Sequence, residues 1–238
     1  MVTESKKATA MGSLGLFALA LFIFLSLRWA VLEPFIIPSG SMIPSLLIHD
    51  HIGVAKWSFG LRVPFSQKWL TGPYTPERFD VVVFKSVENP DMYMIKRVIG
   101  LPGDHIQITK QGGLVINDIE IPRKKLEEFT RPEEDLEISP DQLDFYLEGE
   151  KKEHVVMQRR AAFRWEVQAY DVPEGKLLMM GDNRDASHDG RYWGYLPLEN
   201  LVGKALFIWL SCTETISVTQ NLCDPNFIRW QRIFSPIQ

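Results

Sequence analysis

The chain has 238 residues, a formal net charge of -4 and 45% hydrophobic residues, so it can bury one large core or two modest ones. That charge and a pI near 5.8 supply no basic stripe for tracking a phosphate backbone, so nucleic acid is not an expected partner. The 15 prolines and 16 glycines fall between short apolar runs, which argues for many turns and against long helices, repeats or a low-complexity tail.

Residues 1–10 include Lys6 and Lys7 and precede an uncharged run from Met11 to Leu27, then Arg28 and apolar Trp29 to Leu32. At about 1.5 Å per residue, Met11 to Leu32 covers roughly 33 Å, near the thickness of a bilayer core. The segment 11–32 therefore predicts a transmembrane anchor, with Arg28 snorkelling beside Trp29 at the far interface. The flanking lysines put residues 1–10 in the cytoplasm and everything after Glu33 outside. Two other readings compete: a cleaved signal peptide, because Ala18-Leu19-Ala20 is a small-x-small triplet, and a buried soluble helix. The triplet sits inside the apolar run rather than after it, and the run exceeds a usual signal core, which favours the anchor.

Beyond the anchor, short β-branched and aromatic runs are bounded by Pro, Gly and Asp, the pattern of an all-β domain. Strands are predicted at 51–58, 79–85, 92–99, 105–109, 114–121 with Asn117-Asp118 as a hairpin turn, 155–160, 176–180 and 204–210. From Arg123 to Glu153 the composition turns charged, suggesting a solvated insertion. The expected organisation is a catalytic β domain in two parts, 33–111 and 172–211, an inserted cap at 112–171, and a tail at 212–238. Cys212 and Cys223 fit an oxidising compartment. They either pair, closing a short loop worth about 3 kcal/mol, or are two small buried residues.

Three segments carry chemistry. In Ile36-Ile37-Pro38-Ser39-Gly40-Ser41-Met42-Ile43-Pro44, two prolines stiffen the backbone and Gly40 lets it bend, so Ser41 can be held in one orientation, as suits a nucleophile. A plain surface turn is the alternative. In Tyr93 to Asp104, two cations interrupt an apolar strand. Lys96 shares its side with Met92, Met94 and Val98, so its ammonium is desolvated unless paired. Arg97 cannot shed its proton there, but Lys96 can. Neutralising a free lysine at pH 7 takes roughly 4 to 5 kcal/mol, and burial can lower a lysine pKa by about 3 to 5 units. The competing reading is a lysine snorkelling at a strand edge.

The third segment, Met179 to Gly194, is a dense polar loop after an apolar strand. Asp182 and Asp185 hint at calcium, but the ligand alternation and terminal Glu are missing and Arg184 intrudes. His188-Asp189 beside Ser187 invites a serine–histidine reading, although adjacent loop side chains rarely meet in triad geometry. His49, Asp50 and His51 read as a solvated turn rather than a metal site.

Together the segments resemble the type I signal peptidase, or leader peptidase, family. The resemblance rests on Ser41-Met42 just past the anchor, Lys96-Arg97 leading into Gly100-Leu101-Pro102-Gly103-Asp104, and Gly181-Asp182-Asn183 with Ser187. It spans about 32–104 and 175–211, while the insertion and tail match weakly. It implies a membrane-bound serine endopeptidase acting on the signal peptides of exported preproteins without a metal or other cofactor. It implies Ser41 as nucleophile, Lys96 as general base, Ser187 orienting the amine, and Ser39 with the Ser41 N–H stabilising the oxyanion. Asp189 and Arg191 would support the 181–189 loop, with Asp182. Ile37, Pro38, Met42, Leu46, Met94 and Ile95 match positions lining shallow pockets for small side chains, with the substrate added as a strand.

A lysine base points to the bacterial or organellar branch, and one span rather than two resembles the simpler members. The expected setting is a bacterial inner membrane, with lipid around the single span, the catalytic domain outside and the protein monomeric. Independently of the family, only about nine residues separate Leu32 from Ser41, about 30 Å fully extended. A nucleophile so placed favours substrates anchored by an apolar segment. Two rivals are a self-cleaving repressor-type Ser/Lys protease, which should carry a DNA-binding motif before Ser41, and a non-catalytic membrane-tethered β domain that binds extended peptides.

Overall fold

The computed structural model describes residues 15–17, 19–21, 32–63, 66, 68–127, 129, 139–160, 167–216 and 222–238. Strands β1 (Leu32–Ile36), β2 (Asp50–Ala55), β3 (Val81–Lys85) and β4 (Tyr93–Gly100) are followed by β5 (His105–Ile108), β6 (Leu114–Ile116) and β7 (Ile119–Glu120). Then come β8 (Arg123–Leu126), β9 (Leu143–Glu148), β10 (His154–Arg159) and β11 (Gln168–Asp171). The last four are β12 (Lys176–Met180), β13 (Leu196–Pro197), β14 (Leu201–Ser211) and β15 (Ser235–Pro236), with one helical turn, α1 (Gly190–Trp193), between β12 and β13. The fold is mainly β, as the turn-rich composition predicts.

The largest sheet runs β1-β2-β14-β3-β4-β12-β13, with β15 beside β14, and a second runs β11-β5-β6-β7. A three-stranded sheet, β10-β9-β8, stands apart. The large sheet curls on itself: Phe35 of β1 meets Tyr93 of β4 edge-on with ring centroids 5.4 Å apart, although β2, β14 and β3 lie between them in strand order. Register shifts along β14, at Leu201/Gly203, Ala205/Phe207 and Ile208/Leu210, supply the bending, since bulges raise local twist. At Gly203 a Cβ would stand 2.6 Å from the Ala55 carbonyl oxygen, so the close approach of β14 to β2 requires glycine.

Inside the curl lies a core of Ile37, Met42, Leu46, Ile52, Val54, Val81, Val83, Ala205 and Ile208. A separate cluster joins Ile43 and Leu47 to Leu143, Phe145 and Met157, fastening the three-stranded sheet to the segment after Ser41. Each such side chain fully buried contributes about 1.5–3 kcal/mol.

Several expectations change in detail. β2 ends at Ala55 and Lys56–Phe59 form a 3-10 turn, so the first predicted strand stops three residues early. The 117–118 turn is present, with both residues at positive φ (52° and 66°), the backbone that two-residue hairpins demand. The charged stretch read as solvated holds β8 and β9, and in β9 Leu143 and Phe145 face inward. Region 112–171 is not a separate cap but contributes to two sheets, because β6 and β11 both pair with β5 while β8, β9 and β10 form the three-stranded sheet. The anchor expected at 11–32 lies for the most part outside the described residues. Among those described, 15–17 and 19–21 are helical, and no helix is long and apolar enough to cross a membrane.

Candidate active site

Ser41 sits on the 3-10 turn Gly40–Met42, which Ser39 enters with extended backbone (φ -142°, ψ 155°). The turn is pinned on two sides, because Met42 packs into the core of the curled sheet and Ile43 into the cluster shared with β9 and β10. Asn183 clamps it from above: its backbone N–H donates to the Ser41 carbonyl (3.1 Å) and its Nδ2 to the Gly40 carbonyl (3.0 Å). The nucleophile candidate is therefore held through its own backbone carbonyls.

Lys96 reaches this turn from the middle of β4. It is 4% exposed and its Nζ lies 2.6 Å from Ser41 Oγ. Burial pushes the ammonium down from 10.5 to about 8, against the opposing pull of Asp189 and Asp182 and with help from Arg191. About one molecule in ten then carries a neutral amine at pH 7. A lone pair within hydrogen-bond reach of a hydroxyl can accept its proton.

The next residue, Arg97, points to the opposite face and is fully buried. Its Nε and Nη2 donate to the two carboxylate oxygens of Asp182 (2.8 and 2.6 Å), its Nη1 to the Phe79 carbonyl (2.7 Å) and its Nη2 also to Ser45 Oγ (3.2 Å). Burial acts to raise the Asp182 carboxyl, but Arg97 outweighs it and holds the group below the usual carboxylate range. The first polar residue after β12 is thus welded to the lysine strand.

Asp189 closes the other end of the same loop, accepting from the Gly181 N–H (2.9 Å) and from Arg191 Nε and Nη2 (both 2.8 Å). Burial pushes its carboxyl up, yet Arg191, the Gly181 N–H and, more weakly, the Ser187 hydroxyl keep it low. Ser187 Oγ is close enough for that influence, but among the described residues it meets no partner, Lys96 included, in regular hydrogen-bond geometry. Its side chain lies against Gly181, where an added Cβ would be 2.3 Å from Ser187 Oγ and 2.4 Å from the Ser41 carbonyl oxygen. Only glycine lets these two serine segments meet there. His188 does not join Ser187 and Asp189 in a triad; its Nε2 pairs with Glu88 at 2.9 Å.

A groove of about 430 Å³ opens over Ser39, Ser41 and Lys96. Of the six expected pocket residues, Met94 lines it. Ile37, Met42 and Leu46 are buried in the core beneath, Ile95 packs against that core, and Pro38 is exposed. The walls instead come from Ile43, Ile48, Leu143, Met157, Arg159, Asn183, Ala186 and His188; of these the sequence had singled out Asn183, as part of the Gly181-Asp182-Asn183 motif, and His188, weighed as a base beside Ser187. Asn183 was detectable as the amide of a Gly-bounded polar loop; Leu143 and Met157 carry no local signal, because their sheet reaches the site only through tertiary packing. At the far end of the chain, Cys212 and Cys223 form a disulfide. Of the metal-ligand types, His51 approaches that pair, and its ring also meets Trp209 edge-on.

Residues 10–210 match the family described as signal peptidase, peptidase S26. The chain belongs to this family. Its relatives include the signal peptidase I of Pseudomonas fluorescens, 39% identical over 204 residues that cover 82% of this chain and 70% of that one. That of Pseudomonas aeruginosa strain PAO1 is 36% identical over 220 residues, covering 88% and 74%. Signal peptidase I of Rickettsia felis is 33% identical over 244 residues, covering 90% and 86%. The resemblance drawn from three short motifs thus extends across most of the chain, and the peptidase is a serine endopeptidase.

Proposed function

We propose that this peptidase removes N-terminal signal peptides from exported preproteins, with Ser41 as nucleophile and Lys96 as general base. The observation that carries the reading is the 2.6 Å contact between Lys96 Nζ and Ser41 Oγ in a setting dry enough to bring the amine to about 8. Ser41 Oγ attacks the scissile carbonyl carbon while its proton passes to Lys96 Nζ. The oxyanion forms beside the Ser39 hydroxyl and the Ser41 N–H, a kind of contact whose loss costs about 10²- to 10³-fold in rate. The tetrahedral species collapses as Lys96 returns the proton to the leaving amine, the new N-terminus of the mature protein. Water, deprotonated by Lys96, then releases the signal peptide from Ser41.

Ser187 is assigned the orientation of the amine; its buried place against Gly181, beside the Ser41 carbonyl, supports that reading. Asp182, Asp189 and Arg191 hold the loop that carries it. Met94, which lines the groove, suits a small side chain before the cut; Ile37, Met42, Leu46 and Ile95 back that part of the site from the core, with Pro38 at the rim. The 11–32 segment is read as a single anchor, which puts the groove outside a bacterial inner membrane at its surface. Exposed Leu16, Phe17, Leu19 and Leu21 support a lipid setting for that helix.

The test is cleavage of a secretory precursor by full-length protein in detergent. Ser41→Ala and Lys96→Ala should each lose activity by a factor of about 10³ or more. Normal cleavage by either variant would remove that residue from the mechanism.

A further inference from the structure

The groove continues past Ser41 and Lys96 along the three-stranded sheet, where Ile43, Leu143 and Met157 make an apolar wall. Every charged or titratable side chain on its lining is basic, namely Lys96, Arg159 and His188, and no carboxylate lines it. Two of these are engaged already. Lys96 faces Ser41 Oγ, and His188 pairs with Glu88 while its ring stacks on Tyr192. Arg159 differs. Its backbone N–H is held by Asp185 Oδ2 at 2.8 Å, which fixes where the side chain starts, but its exposed guanidinium makes no ion pair among the described residues. Arginine cannot discharge by losing a proton, so a permanent cation with fork-like donors free of an ion pair among the described residues stands on a largely apolar wall.

We infer that this arm of the groove is a subsite for an acidic side chain, with Arg159 as its specificity-determining residue. The inference rests on the roles given above to Ser41 and Lys96, and adds the chemistry of one substrate position. Residues before the cut are assigned to the part of the groove around Met94. The arm walled by Leu143, Met157 and Arg159 is then left to the residues after the cut, the first of the mature protein. An Asp or Glu there presents two oxygens to a planar fork of N–H donors. Because the pair is partly solvated, its effect is severalfold rather than orders of magnitude.

The experiment uses full-length enzyme in detergent and precursor peptides carrying Glu, Gln or Lys at each of the first three positions on either side of the cut. At one position after the cut, kcat/KM for Glu should exceed that for Gln by roughly two- to fivefold, and the advantage should shrink as salt is added. In Arg159→Gln this ratio should fall to about one, and Arg159→Lys should keep part of it. The ratio is internal to each variant, so a lower fraction of active enzyme does not disturb it. A Glu-to-Gln ratio near one at every position in the wild type, a preference confined to positions before the cut, or an unchanged ratio in Arg159→Gln would each overturn the subsite. Failure of wild-type enzyme to cleave any of the peptides would strike instead at the Ser41 and Lys96 reading, and the subsite would fall with it.

Discussion

Lys96 loses its proton near pH 8 rather than 10.5 because burial outweighs the two aspartates behind it. A base must be neutral to act, so the active fraction grows as pH rises toward that value and saturates above it. With the folded enzyme as reference, kcat/KM should climb close to tenfold per pH unit from about pH 6 to 7.5 and level off above about pH 8.5. A profile flat across that range, measured with a substrate lacking ionisable groups near the cut, would contradict the assignment. At this scale the sequence showed Ser41 and Lys96 because their residue types are anomalous where they stand: a hydroxyl between stiffening prolines, and a cation within an apolar strand. It offered Asn183 only as a member of a motif and not its role, which is played by hydrogen bonds to two carbonyls more than 140 positions away. Nor did it separate Met94, which lines the groove, from Ile95, which packs against the core; the resemblance named both, whereas alternation along β4 turns them to opposite faces.

β4 places the proposed base, Lys96, on one face and a buried cation, Arg97, on the other, one residue apart. Arg97 is fully desolvated and answered by both oxygens of Asp182. Such a pair adds little net stability when whole, but removing one partner leaves a bare buried charge. Asp182→Ala should therefore cost about 3–5 kcal/mol in urea unfolding of the full-length protein in detergent. The double variant Arg97→Met, Asp182→Leu should recover much of that loss. A single-variant cost below about 1 kcal/mol would mean that Arg97 finds another partner. Most strands of the curled sheet were legible because their residues are apolar on both faces, as in β3. β8 and β9 were not: Lys124, Lys125, Asp144 and the acidic run after Phe129 mask an alternation whose inward members are few. β1 was hidden differently, since an apolar segment at the end of a predicted span has the same composition as an edge strand.

Across the whole molecule, the C-terminal segment returns to the site. Arg229 donates to the carbonyls of Ile48 and Cys212, and Arg232 to Asp50 and the Ser45 carbonyl, four residues beyond the nucleophile candidate. The Cys212–Cys223 bridge closes the loop leading into this segment, settling in favour of pairing a question that two cysteines in a sequence leave open. By restricting the unfolded chain, a loop of this size is worth about 3 kcal/mol. Reduction, or replacement of both cysteines by serine, should lower the thermal midpoint of the full-length protein accordingly. An unchanged midpoint would show that the tail is held by Arg229 and Arg232 alone.

The braid between β10 and the 181–189 loop has an architectural consequence. Met157 donates to the Asp182 carbonyl and accepts from the Arg184 N–H, while the Arg184 side chain is matched by buried Glu148, whose carboxyl burial tends to raise but Arg184 and His154 hold at about 2. Two strands of region 112–171 thus support the most motif-rich loop, β10 by backbone pairing through Met157 and β9 by the countercharge of Glu148. Excising residues 112–171 to miniaturise the enzyme would strand two amide groups and one guanidinium beside the serine turn. Shortening of this protein by design must therefore spare β9 and β10 and, at the tip between them, Lys152, which bonds buried Asp80.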